Sequence, residues 1–131
     1  MRELPQILLI DDDVAIATAL RLRLWAAGYE VTVAATGARG LEIASQCPPQ
    51  VILLDIRMPE MDGFEVCRRL KADDRLAAVP VVFISAEIAD RARAMARHVG
   101  AAGYVHKPFE PEQVLCAIEM ALDLRGAAEA G

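Results

Sequence analysis

Four stretches carry side chains that could do chemistry together: "ILLIDDD" with Asp11, Asp12 and Asp13, "VILLD" with Asp55, "VVFIS" with Ser85, and "GYVHK" with Lys107. Carboxylates gathered in a row repel. Two unit charges ~4 Å apart do so by roughly 4 kcal/mol at an effective dielectric of 20. A divalent cation offsets that repulsion. Asp11, Asp12 and Asp55 form a hard-oxygen donor set, which suits Mg²⁺ (or Mn²⁺). Such an ion takes one or two carboxylates, keeps several waters and bridges to phosphate oxygens. Lys107 adds a compact positive charge, and Ser85 adds a hydroxyl. A carboxylate can attack phosphorus to give an aspartyl phosphate. Metal, lysine and hydroxyl are the electrostatic clamp that a transferring phosphoryl group needs.

Taken singly, each residue has an ordinary reading. Asp13, directly before Val14, and Asp62, before a later helix, read as helix N-caps. Ser85 alone is a loop serine, and a lone Lys-Pro means nothing. Asp55 is harder to dismiss, because a carboxylate ending an apolar run loses hydration without visible gain.

The set works only if the fold brings it together. Short apolar runs alternate with helical patterns along the chain. Strands are expected at Gln6–Ile10, Glu30–Ala34, Val51–Leu54, Val79–Ile84 and Gly103–His106. Helices are expected over Val14–Ala27, Gly37–Gln46 (with Thr36 as N-cap), Asp62 to about Lys71, Ile88–Val99 and Pro111–Leu124. Ala17, Leu20, Leu24 and Ala27 fall on one face of the first helix. Val114, Leu115, Ile118, Ala121 and Leu122 make the core stripe of the last. Near-continuous apolar strands with helices between them predict a parallel sheet covered on both faces. Right-handed crossovers then give an open doubly wound α/β sheet. Ligands in such sheets bind beyond the carboxyl ends of the strands. That edge is where Asp11, Asp12, Asp55, Ser85 and Lys107 are expected to converge.

The 131 residues fit one domain over 1–131, with a core over about 6–124 and a frayed tail over 125–131. A net charge of −5 disfavours direct nucleic-acid binding and suits a cation or a basic partner. Cys47, Cys67 and Cys116 are scattered and form no CxxC pair, which reads as reduced thiols in the cytoplasm. The N-terminus does not read as a signal peptide. No apolar run approaches the ~20 residues that span a bilayer, so no membrane partner is expected.

"ILLIDDD", "VILLDIRMPEMDG", "VVFISA" and "GYVHKPF", in this order and spacing, resemble the receiver domain of two-component response regulators (the CheY-like superfamily). The resemblance covers about residues 6–124. It implies a flavodoxin-like (βα)5 fold with strand order 2-1-3-4-5. It also implies a signalling phosphoacceptor, not an enzyme acting on a separate substrate. The phosphoryl donor would be a sensor histidine kinase or histidine phosphotransfer protein. By position, Asp55 matches the phosphoacceptor and Asp12 the direct metal ligand. Asp11 matches the ligand that acts through water, and the Arg57 backbone carbonyl the remaining protein ligand. Lys107 matches the lysine that contacts the phosphoryl group, followed by a cis bond to Pro108. Ser85 and Tyr104 match the switch pair, whose movement reshapes the face of helix 4, strand 5 and helix 5 for an output partner. Asp13 matches no metal ligand. The chain reads as a stand-alone receiver or the receiver piece of a longer regulator.

Further residues carry finer expectations. Arg57 and Glu87 occupy positions that influence phosphoryl lifetime in the family, and their opposite charges suggest an ion pair over the site mouth. Ile16, with Pro108 and Phe109, is expected to dock the donor's histidine-bearing helices. Leu22 and Trp25 either extend that apolar stripe or cover the sheet edge. Arg91, Arg93 and Arg97 read as a solvated face that an output partner could use. His98 and His106 read as structural or exposed. The principal rival is a haloacid-dehalogenase-type phosphotransferase using Asp11 as nucleophile in a D-x-D pair with Asp13. A flavodoxin-like FMN carrier is disfavoured, because an acidic first loop repels a flavin phosphate.

Overall fold

A computed structural model describes residues 4–86 and 90–130, with side chains described as far as Leu124. The strands are β1 (Gln6–Ile10), β2 (Glu30–Ala34), β3 (Val51–Asp55), β4 (Val81–Ser85) and β5 (Gly103–His106). The helices are α1 (Val14–Ala26), α2 (Gly37–Gln46), α3 (Gly63–Ala72), α4 (Asp90–His98) and α5 (Pro111–Ala130). All pairings are parallel and the strand order is β2-β1-β3-β4-β5, as the sequence implied.

The strands alternate side chains between two apolar layers, as the period of two demands. Leu8, Ile10, Ile52, Leu54, Val81 and Phe83 face Ala44 of α2, Val66, Cys67 and Leu70 of α3, and Ala96 of α4. Ile7, Leu9, Val51, Leu53, Val82 and Ile84 face Ala17, Leu20 and Leu24 of α1 and Val114, Ile118 and Ala121 of α5. Both faces of the sheet are covered. β3 and β4, at its centre, are buried along their whole length.

Three helices begin on the caps expected of them. The side chain of Asp13 accepts from the Ile16 N–H at 3.1 Å, Thr36 from Arg39 at 3.1 Å, and Asp62 from Glu65 at 2.9 Å. Each satisfies an amide that the first turn leaves without a helical partner.

Several boundaries differ from expectation. β4 starts at Val81 rather than Val79, because Pro80 has no N–H to give the ladder; only its carbonyl joins, accepting from Ile52 N at 3.0 Å. α1 ends one residue early, with Ala27 as an exposed C-cap and Gly28 at φ 98°. α5 continues past Leu124 to Ala130, where a frayed tail was expected. The alanines of that tail are strong helix formers and carry the backbone on past Gly126. Ile88 and Ala89, expected to begin the fourth helix, lie outside the described residues, and α4 is described from Asp90.

Candidate functional site

The carboxyl ends of β1, β3, β4 and β5 meet at one edge of the sheet. Asp11 follows β1 immediately, and its N–H continues the ladder to Ala34 O at 3.0 Å. It is 2% exposed. Its Oδ1 accepts from the backbone N–H of Asp13 at 2.9 Å, and its Oδ2 accepts from Lys107 Nζ at 3.0 Å. Asp55 ends β3 and is 7% exposed. The same Nζ reaches Asp55 Oδ2 at 3.5 Å. Ser85 ends β4, is buried, and sits in register with His106. Lys107 follows β5, and the Lys107–Pro108 peptide bond is cis.

Asp55 is held in place by the loop that follows it. Gly63 N donates to Ile56 O at 2.8 Å, drawing the start of α3 against the end of β3. A Cβ at Gly63 would collide with the Asp55 carbonyl oxygen. The "MDG" of the sequence therefore supplies a cap at Asp62 and, at Gly63, the only side chain small enough for this approach.

Charge and burial set the protonation of the cluster. Burial is the main reason the Asp55 carboxyl is pushed up to about 6, and the nearby Asp11 charge adds to it. The Lys107 ammonium opposes the rise, a hydrogen bond with Asp11 adds to it, and the Arg57 backbone N–H lowers it. Burial by itself would lower the Lys107 pKa, but a hydrogen bond and charge from Asp11, with the charge of Asp55, raise it. Lys107 is thus a firmly charged ammonium between two buried carboxylates.

Carboxylate oxygens of Asp11, Asp12 and Asp55 all lie within 4.8 Å of one another, with Asp12 exposed and the other two buried. This donor set fits a hard divalent cation, Mg²⁺ or Mn²⁺, reached from solvent on the Asp12 side. The Asp13 carboxylate takes no part in this donor set, because it faces the first amides of α1. The D-x-D alternative therefore has no convergent acid pair, and the haloacid-dehalogenase reading finds no support.

The remaining expected residues scatter around this cup. Arg57 stands exposed at its rim. Glu87, its expected partner, lies outside the described residues. Ile16 is half-buried in the first turn of α1, Pro108 is exposed, and Phe109 packs against the α1–α5 side of the core. Leu22 and Trp25 are exposed and, with Glu30 and Val31 of the edge strand β2, line a shallow depression. Tyr104 is half-buried and packs against the core on the α3–α4 side. His98 is exposed. His106 Nε2 is buried and makes no hydrogen bond among the described residues.

Two relationships were not anticipated from the sequence. Arg93 of α4 lies over the Tyr104 ring, with its Cζ 4.8 Å from the ring centroid. The Asp13 backbone, rather than its side chain, serves the acid cluster by donating to Asp11.

A family profile described as the response regulator receiver domain matches residues 7–119. The DNA-binding dual master transcriptional regulator RpaA of Synechocystis is 40% identical over 121 residues, covering 91% of this chain and 49% of that protein. The transcriptional regulatory protein KdpE of Mycobacterium tuberculosis is 36% identical over 122 residues, covering 93% of this chain and 53% of that protein. The chain thus spans about half the length of these curated relatives. Among solved structures, the Vibrio cholerae chemotaxis protein CheY4 superposes with a TM-score of 0.87 at 31% identity, covering 91% of this chain and 99% of that one. A CheY-like receiver domain protein from Methanospirillum hungatei gives 0.89 at 28% identity, covering 95% and 98%.

Proposed function

From the premise that this chain belongs to the response regulator receiver domain family, we propose that Asp55 accepts a phosphoryl group from a phosphohistidine and that this event switches a partner-binding face. The donor is a sensor histidine kinase or a histidine phosphotransfer protein. Asp12 would hold Mg²⁺ or Mn²⁺ directly and Asp11 through water, with Asp55 and the Arg57 carbonyl completing the protein's share. When bound, the ion neutralises the acid cluster and the phosphoryl oxygens. The observation that carries the reading is the Lys107 ammonium, within reach of both buried carboxylates.

An ionised Asp55 oxygen attacks phosphorus as the P–N bond of the donor breaks and the imidazole leaves with the electron pair. Lys107 then contacts a phosphoryl oxygen, and the Ser85 hydroxyl donates to another. Ser85's movement leaves room beside β4, and Tyr104 turns inward into it. The face of α4, β5 and α5 changes shape for an output partner. Ile16, Pro108 and Phe109 dock the donor, while Arg57 and Glu87 tune how long the phosphoryl group survives by limiting access of water. The domain works in the cytoplasm and reads no nucleic acid itself, consistent with its net charge of −5. Among the described residues no helix is long and apolar enough to cross a membrane.

Beryllofluoride, which mimics a phosphoryl group on a carboxylate, tests the site directly. Wild type should bind it only with Mg²⁺ or Mn²⁺ present, and Asp55→Asn should not bind it. Absence of binding to wild type would overturn the reading.

A further inference from the structure

Tyr104 is gripped from the solvent side. The Arg93 guanidinium carbon lies 4.8 Å from the ring centroid, inside the ~6 Å range in which a cation is attracted to an aromatic face. Arg93 is exposed on α4, whereas Tyr104 is half-buried on β5 against the α3–α4 layer. Together with Arg97, Ala96 and Gly103 they line an open depression of about 200 Å³ at the α4–β5 edge. The half-buried ring therefore forms part of the wall of this depression, beneath a guanidinium carried by the neighbouring helix.

We propose that Arg93 is a positioning residue for Tyr104, and that its grip holds the ring at the surface and opposes its inward turn. This rests on the receiver reading above, because it requires Asp55 to take a phosphoryl group and Tyr104 to respond. A ring that turns toward Ser85 on β4 leaves Arg93 behind. The contact belongs to the resting arrangement alone, so its free energy biases the equilibrium toward rest. A contact of this kind on a partly exposed ring corresponds to about two- to five-fold in an equilibrium constant.

The sign separates this from a plain charge effect. Removing a positive charge from the neighbourhood of an anion site weakens anion binding, though an exposed guanidinium is largely screened by salt. Removing a grip on the resting state strengthens binding. Only the second gives tighter binding in an arginine-to-alanine variant.

The test is the affinity of the full chain for beryllofluoride with Mg²⁺, followed by NMR of the Tyr104 ring. Arg93→Ala, at an exposed helix position where alanine is well tolerated, should bind about two- to five-fold more tightly than wild type. Arg93→Lys, which keeps the charge but not the planar fork, should fall between the two. In a Tyr104→Leu background, Arg93→Ala should change affinity by less than about 1.5-fold, since the ring it acts through is gone. Binding by Arg93→Ala that is no tighter than wild type, or a gain that persists without the ring, would overturn the role of Arg93 and leave the receiver reading standing. Wild type that binds no beryllofluoride would overturn the receiver reading and, with it, the premise of the grip.

Discussion

Lys107 sits nearer the carboxylate of Asp11 than that of Asp55, at 3.0 Å against 3.5 Å. Its ammonium leans toward Asp11 and away from the proposed phosphoacceptor. Asp55 is left with partial compensation for its burial, and its carboxyl is pushed up to about 6 from an ordinary 3.8. A lysine placed squarely on Asp55 would hold its carboxylate ionised but spend it on a salt bridge.

The first prediction follows from that imbalance. Between about pH 4 and pH 6, native Asp55 holds a proton that the unfolded chain has released. Stability of the metal-free protein therefore falls as pH rises through that window, and the deficit remains at pH 7. Asp55→Asn removes the ionisation and keeps the shape. In urea unfolding at pH 7 without divalent ions it should be more stable than wild type by on the order of 1–3 kcal/mol. The difference should shrink below pH 4. Equal stability at pH 7 would show that the buried charge is fully compensated.

Asp12 and Asp13 are neighbours with separate duties. Asp13→Ala should cost about 1 kcal/mol of stability through the lost cap. It should leave Mg²⁺ affinity within about two-fold of wild type. Asp12→Ala, at an exposed position, should leave metal-free stability within about 0.5 kcal/mol and weaken Mg²⁺ binding by about ten-fold or more. Calorimetric titration and urea unfolding on both variants check the division. The reverse pattern would exchange their roles.

Gly63 is required by the backbone it approaches. Gly63→Ala drives a methyl group into the Asp55 carbonyl oxygen. Backbone cannot give way as a flexible side chain can, so the expected loss is about 1–3 kcal/mol in urea unfolding. A change under about 0.5 kcal/mol would mean that the loop has slack which the structure does not show.

Much of this was legible in the sequence. β1, β3 and β4 are apolar runs, and a chemically active side chain ends or directly follows each of β1, β3, β4 and β5. Asp11, Asp55, Ser85 and Lys107 could therefore be assigned to one edge once the sheet was taken as parallel. The three caps were legible because Asp13, Thr36 and Asp62 directly precede their helices. What could not be read depends on side-chain direction across elements. Arg93 and Tyr104 lie on different elements, and a basic helix face gives no sign of which arginine will cover a ring. The preference of Lys107 for Asp11 is a matter of side-chain reach between separate strand ends, which no local pattern encodes. The tail over 125–131 was expected to fray, whereas the backbone of α5 runs on to Ala130, in keeping with the helix propensity of its alanines.

The central claim is that Asp55 alone carries the phosphoryl group. The direct measurement is intact-mass analysis after incubation with acetyl phosphate and Mg²⁺, on wild type and Asp55→Asn. Wild type should gain a single phosphoryl group that is lost on removal of the small-molecule donor and after alkaline treatment. Asp55→Asn should gain none. An unlabelled wild type, or a label that persists in Asp55→Asn, would contradict the account.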